Sequence, residues 1–313
     1  MSKAADSKSE RIVNIERLRF LAAFGIVLFH TLGDRHVFTK TIGYSGLPVF
    51  LIVFSFLLII NQKEISFFEF TQKRFQRLII PWLFWCIVYA AFFLLKQYYQ
   101  QRVLQWSFHW NTIMMGTSIH LWYLPYAFFM SLVIFWIKKI DVGGYTLHLT
   151  WVFTLLLIPS FILFSRWIDN DMLPSPLPQW LFGIPAILIG MILGIIYNME
   201  KVCTRQLVLT GFWGSLLLLF IFLYWKNLHS MLIPYSVAAL LSSLALFCRG
   251  HEDRLSLKLA SLTFGIYLIH PMLGYIINFV THDKQNLLLS FGIFLIAGAL
   301  TWIMQKTYLR KVV

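Results

Sequence analysis

The sequence predicts an all-α fold, a polytopic transmembrane helical bundle of about ten spans with both termini in the cytoplasm. Of the 313 residues, 59% are hydrophobic and only 12% are charged, and the mean hydropathy is +0.73. Long apolar runs recur from end to end, separated by short charged segments, which is typical of a polytopic membrane protein. At about 20 residues per span, the runs predict spans near 17–33, 46–61, 76–95, 120–137, 147–164, 179–197, 207–225, 231–248, 259–279 and 286–305.

The basic residues predict the orientation of these spans. The net charge is +13, but its distribution favours a membrane over nucleic acid as the partner. With an internal N-terminus, most of the 26 Lys and Arg side chains lie on the inner side, as the positive-inside rule requires. The few that lie outside are Arg35, Lys40, Lys96, Arg102, Arg166, Lys226 and Lys284.

The chain is predicted to form a single membrane domain over residues 1–313, with residues 1–15 as a short cytoplasmic leader. The first apolar run is interpreted as a retained signal anchor, because no small-residue cleavage site follows it and nine further runs come after it. Cys86, Cys203 and Cys248 lie far apart without a CxxC pair. They therefore indicate neither a disulfide framework nor a zinc site, and no metal is expected.

Ionisable side chains within apolar runs are the most informative residues here, because they are costly to hold at membrane depth. Arg19 and His30 lie eleven positions apart, which on a helix places them on one face about 16 Å from each other. His270 lies eleven residues into a span that also starts inside, so it reaches a depth similar to that of His30. The two histidines either line one cavity or merely tie helices together.

A basic cluster precedes the third span in "FTQKRFQRLIIPW". Lys73, Arg74 and Arg77 are spaced to share a helix face at the inner interface. Such residues satisfy the positive-inside rule without any further role. Alternatively, paired guanidinium groups hold phosphates, for which their forked donors are suited.

Aromatic residues open the fourth span from the outer side in "IHLWYLPYAFF". Trp122 and Tyr123 are either aromatic-belt residues or a stacking wall for a sugar ring, and His120 precedes them. No predicted span contains Asp or Glu, which argues against a proton-coupled or sodium-coupled transporter. Asp34 is one turn beyond His30 and either orients the imidazole or is an exposed turn residue.

Four stretches together resemble the acyltransferase-3 family of integral membrane acyltransferases. They are the Arg19 and His30 pair in "ERLRFLAAFGIVLFH", then "KRFQRLIIP", "HLWYLP" and "FGIYLIHP", in the family's order over nearly the whole chain. One departure is "VFSFLL", where Ser55 is followed by Phe56 in place of the glycine of the family's Ser-Gly-Phe. Because glycine is missing at this position, the acyl or acceptor pocket is expected to be narrower than in other members of the family.

The resemblance implies transfer of an acyl group, most often acetyl, from cytoplasmic acyl-CoA to a hydroxyl of a cell-surface or lipid-linked glycan, by a stand-alone, multi-pass protein of the cell (inner) membrane. His30 would act as the base or would accept the acyl group transiently. The alternative is a glycan flippase or exporter, in which the same residues only line a passage. The implied site comprises catalytic Arg19, His30 and Asp34; donor-binding Arg17, Lys73, Arg74 and Arg77; and acceptor-binding Ser55, His120, Trp122, Tyr123, Tyr267 and His270.

Overall fold

A computed structural model confirms the all-α class: the described residues are 89% helical and contain no strand. Its description covers residues 13–32, 37–61, 65–101, 111–140, 146–168, 173–228, 232–248, 254–281 and 286–313. The predicted leader therefore lies largely outside the described residues, and so does Asp34.

The helices follow one another through short connections. In chain order they are α1 Val13–Thr31, α2 Val37–Tyr44, α3 Gly46–Ile60, α4 Phe67–Arg74, α5 Ile80–Tyr99, α6 Asn111–Met115, α7 Tyr123–Ile140, α8 Thr146–Ile168, α9 Leu177–Tyr197, α10 Val202–Trp225, α11 Leu232–Phe247, α12 Arg254–Ser261, α13 Thr263–Thr281 and α14 Leu287–Gln305. A π-helix, Phe75–Ile79, joins α4 to α5, and a 3₁₀ turn, Ile119–Trp122, precedes α7.

Within the described residues, seven helical stretches are long and apolar enough to cross a membrane, and the bent pair α12 and α13 makes an eighth. Each of the ten predicted spans coincides with a helix. The two spans outside the eight are α1, which carries Glu16, Arg17 and Arg19 near its start, and α11, which is only 16 residues long. The exact number of spans and the side of the termini stay predictions.

Small residues bring the first three helices into close contact. A Cβ on Gly25 of α1 would lie 2.9 Å from the carbonyl oxygen of Gly43 in α2, and one on Gly46 would lie 2.3 Å from the carbonyl oxygen of Ala22. Only a residue without a Cβ permits such an approach, which is how helices commonly associate in membranes. The α2 and α3 segments therefore pack directly along α1, the helix that carries Arg19 and His30.

A second close contact joins α3 to α9. A Cβ on Gly190 would lie 2.1 Å from Ser55 Oγ and 2.2 Å from the carbonyl oxygen of Ile52. Ser55 is fully buried, and its hydroxyl donates to the carbonyl of Leu51 in its own helix at 3.0 Å. Ser55 thus packs two helices together, and this contact lies in the hydrophobic core.

Candidate active site

Three histidines from three different segments meet in the bundle. The ring centroid of His30, in the last turn of α1, lies 5.3 Å from that of His270 in α13. The ring of His120, in the 3₁₀ turn before α7, lies 6.3 Å from that of His270. His120 is 4% exposed and His270 is 0% exposed, whereas His30 is exposed. The cluster therefore has two buried members and one that an incoming molecule can reach.

The hydrogen bond of His270 defines its tautomer. Its Nδ1 lies 3.0 Å from the carbonyl oxygen of Ile266, which can only accept, so Nδ1 carries the hydrogen. In a neutral imidazole, Nε2 then has the lone pair. This Nε2 is buried and has no hydrogen-bond partner in the part of the chain that the structure describes. His270 therefore offers an unused acceptor beside His30.

His120 is held by its own neighbours. Its Nδ1 shares a hydrogen bond of 3.0 Å with Ser118 Oγ, and the hydroxyl of Tyr267 donates to the His120 carbonyl. Its Nε2, like that of His270, is buried without a partner among the described residues. Leaving a polar atom unbonded at membrane depth is costly. The two bare nitrogens thus indicate a place where a polar group binds.

Pro271 directly follows His270 inside α13, which continues to Thr281. Pro271 has no N–H and interrupts the helical ladder. The hydroxyl of Tyr89 bonds to the next pair of backbone groups along the helix: it donates to the Leu268 carbonyl at 2.8 Å and accepts from the Met272 N–H at 3.3 Å. The Tyr89 ring also lies 4.7 Å from His120. Tyr89 therefore ties α5 to both buried histidines.

Arg19 lies at the opposite end of α1 from His30. Its guanidinium pairs with Glu16 at 2.9 Å and donates to Thr263 Oγ, at the start of α13, at 3.4 Å. The continuous helix α1 places Arg19 and His30 about 16 Å apart along the axis, at about 1.5 Å per residue. One helix thus carries a cation at one end and a reachable imidazole at the other.

Tyr123 and Tyr267 form a short row of rings that ends at His120. The Tyr123 ring lies 5.5 Å from that of Tyr267. The Tyr267 ring in turn lies 5.9 Å from His120. The two tyrosine rings thus lead from the start of α7 to His120.

The basic cluster divides into two kinds of residue. Arg77 is exposed on the π-helix, a distortion that is frequent at functional sites. Arg74 stacks over the ring of Phe70 at 5.1 Å, whereas the Lys73 ammonium pairs with Glu69 at 2.6 Å on the surface. Arg74 and Arg77 are therefore better placed than Lys73 to meet a ligand.

The other predicted site residues have mainly packing contacts. Arg17 Nε donates to Ser256 Oγ at 3.0 Å and ties α1 to α12. Trp122 is 4% exposed, with its ring 5.5 Å from that of Tyr126. Ser55 lies in the α3 and α9 contact described above.

Sequence reasoning missed Tyr89, since a tyrosine within an apolar run gives no signal of its distant partner.

The described residues contain no group of three or more His, Cys, Asp or Glu that could hold a metal ion. The three histidines present nitrogen lone pairs and N–H groups to one another's neighbourhood. A neutral imidazole in this position can accept a proton from a hydroxyl or attack an activated carbonyl.

Comparison with known proteins decides the family. The sequence model of the acyltransferase-3 family, described as an acyltransferase domain, matches residues 12–305. The chain belongs to the acyltransferase-3 family. No curated protein and no solved structure matches it. The match includes every predicted site residue, from Arg17 to His270, and with the apolar helices it makes the chain a multi-pass membrane acyltransferase.

Proposed function

We propose that this acyltransferase moves an acyl group, most often acetyl, from acyl-CoA on the cytoplasmic side of the cell membrane to a hydroxyl of a cell-surface or lipid-linked glycan. The observation that carries the proposal is the meeting of His30 with two buried histidines whose Nε2 atoms are unpaired within the described chain. Acyl transfer between a thioester and a hydroxyl requires a base at such a site.

The donor would enter from the end of the bundle where Arg19 lies. Coenzyme A carries several phosphates, and Arg74 and Arg77 provide forked donors for them. Among the described residues, the Arg19 guanidinium pairs with one carboxylate and one more distant hydroxyl, which leaves further N–H donors for a phosphate. The thioester would then extend past Tyr123 and Tyr267 toward the histidines.

His30 would take the proton of the acceptor hydroxyl as its oxygen attacks the thioester carbonyl. The carbon–sulfur bond then breaks, and the thiolate of coenzyme A leaves and receives the proton. In the second route, a nitrogen of His30 attacks first, and the acyl-imidazole then passes its acyl group to the hydroxyl. In the first route the single hydrogen of the hydroxyl goes to His30, and the Nε2 of His270 would accept a hydrogen bond from the N–H of the His30 ring. In the second route the Nε2 of His270 would accept the hydrogen bond of the attacking hydroxyl.

The test measures acyl transfer by the purified protein in lipid nanodiscs, with acetyl-CoA as donor. His30→Ala should abolish both the release of free coenzyme A and the addition of an acetyl group to glycan, detected by mass. The variant should stay folded, because one polar side chain contributes only about 1–2 kcal/mol to helix association. His148→Ala removes an exposed histidine of α8 and serves as the matched control.

Near-normal turnover by His30→Ala would overturn the catalytic assignment. If the wild-type protein moves glycan across sealed membranes but transfers no acyl group, the flippase alternative is correct instead. Kinetics separate the two chemical routes, since an acyl-imidazole predicts a ping-pong pattern and release of coenzyme A before the acceptor binds.

A further inference from the structure

A second set of unpaired polar groups lies between α7 and α9. Tyr126 of α7 is 1% exposed, and its hydroxyl has no hydrogen-bond partner in the described portion of the chain. The indole nitrogen of Trp180 and Oε1 of Gln179, both in the first turn of α9, are buried and equally unpaired there. The donors of Tyr126 and Trp180 are thus left without partners among the described residues where their rings meet, and the acceptor of Gln179 belongs to the same helical turn as Trp180.

The aromatic rings of this region are held in fixed positions. The Trp180 ring lies 5.5 Å from Tyr126 and is stacked on Phe129 with centroids 6.0 Å apart. Gly183 makes room for the tyrosine, because a Cβ there would lie 2.6 Å from the Tyr126 hydroxyl. A larger residue at position 183 would displace the Tyr126 hydroxyl, so the absence of a side chain there leaves the space that this hydroxyl occupies.

A continuous row of aromatic groups joins this region to His30. Phe29, next to His30, stacks on Tyr44 with centroids 4.3 Å apart. The Tyr44 ring lies 5.0 Å from that of Phe182, which directly precedes Gly183. Packed rings thus link the Tyr126 region to the neighbourhood of His30.

Aromatic faces with hydrogen-bonding groups at their edges suit a sugar ring, which has apolar C–H faces and hydroxyls around its rim.

We infer that Tyr126, Trp180 and Gln179 form a saccharide subsite, in which the Tyr126 hydroxyl and the Trp180 indole N–H bind oxygens of the acceptor. Trp122, whose ring lies 5.5 Å from Tyr126, extends the aromatic wall. The inference rests on the proposed function, because it deepens the assignment of a glycan as the acceptor.

The first experiment measures binding without any acyl donor, so it does not depend on catalysis. Cellobiose, chitobiose and mannobiose are presented to the protein in nanodiscs, and saturation-transfer NMR records which of them contact it. The wild-type protein should give a signal with at least one disaccharide. Tyr126→Phe and Trp180→Phe, which keep the rings, should each reduce that signal several-fold.

Tyr98→Phe and Trp225→Phe, at exposed positions of α5 and α10, are the matched controls and should keep the full signal. Equal signals from Tyr126→Phe and the wild type, or no signal with any disaccharide, would overturn the subsite. In the latter case the unpaired groups hold only water.

The second experiment separates this inference from the proposed function. With an acetyl-accepting glycan, Tyr126→Phe should raise the KM for the acceptor several-fold and leave the KM for acetyl-CoA unchanged. Acyl transfer with an unchanged acceptor KM would overturn the subsite alone. Saccharide binding that depends on Tyr126, in a protein that transfers no acyl group, would overturn the proposed function alone.

Discussion

The imidazole of His270 lies beside that of His30, with ring centroids 5.3 Å apart, although 240 positions of the sequence separate them. His270 donates from Nδ1 to the Ile266 carbonyl, so its lone pair at Nε2 is free to accept within the described structure. His30 is the exposed member of the pair. The pair thus joins a reachable group to a buried, oriented one.

The first prediction concerns the free Nε2 of His270. His270→Asn keeps a donor near the Ile266 carbonyl but removes the acceptor at Nε2. We expect kcat to fall by about 10²-fold or more, the range typical of a positioned acid–base group, with the KM for acyl-CoA unchanged. Steady-state kinetics in nanodiscs measure both. Activity within twofold of wild type would show that His270 only ties helices together.

The second prediction concerns donor binding. Replacing Arg74 and Arg77 together with Gln should raise the KM for acyl-CoA at least tenfold, because two charge-assisted contacts to phosphate are lost. The acceptor KM should not change. Replacing Lys201 and Arg205 together with Gln removes the same charge at the start of another helix, α10, and should leave the donor KM unaltered.

An unchanged donor KM in the Arg74 and Arg77 variant would mean that these residues only satisfy the positive-inside rule and do not bind the donor. An equal rise in the control variant would point instead to a general effect of surface charge.

The third prediction concerns packing. Gly190→Ala places a Cβ 2.1 Å from Ser55 Oγ and 2.2 Å from the Ile52 carbonyl oxygen. Two helix backbones must separate to admit it, and we expect a loss of stability of about 1–3 kcal/mol. Gly292→Ala is the control, because a Cβ there meets nothing within 4 Å. Thermal unfolding in detergent compares the two, and equal midpoints would contradict the tight α3 and α9 contact.

The fourth prediction is the sidedness of the reaction. If the N-terminus is cytoplasmic, Arg19 lies at the inner edge and His30 beyond the middle of a core about 30 Å thick. Donor and acceptor then approach the histidines from opposite faces, so the acyl group crosses the membrane during transfer. Sealed vesicles of known orientation, given acyl-CoA on the N-terminal side and an impermeant glycan on the other, should form product.

Product formed only when both substrates are on the N-terminal side would contradict this across-membrane geometry. The chemistry assigned to His30 would be unaffected by that result.

Local sequence was sufficient for the parts of the site that lie on one helix. The face shared by Arg19 and His30 follows from the period of the helix, and α1 is indeed continuous over both residues. The neighbouring rings of Trp122 and Tyr123, 6.3 Å apart, likewise come from one short stretch, and their role as a stacking wall stays a prediction. By contrast, the sequence predicted that His30 and His270 lie at a similar depth but not that their rings are neighbours. Depth is counted along each span separately and says nothing about which spans pack together.

The sequence by itself determined the membrane class, the all-α fold and the positions of the helices, because hydrophobicity and helical period are properties of consecutive residues. Only the tertiary structure decided which helices touch. The Tyr89 hydroxyl donates a hydrogen bond to the carbonyl of Leu268, 179 residues away. Gly190 has no side chain and so leaves room for Ser55 of another helix. Such contacts depend on the shapes of two distant surfaces, and in lipid, close packing and interhelical hydrogen bonds select the partners where hydrophobicity does not distinguish them.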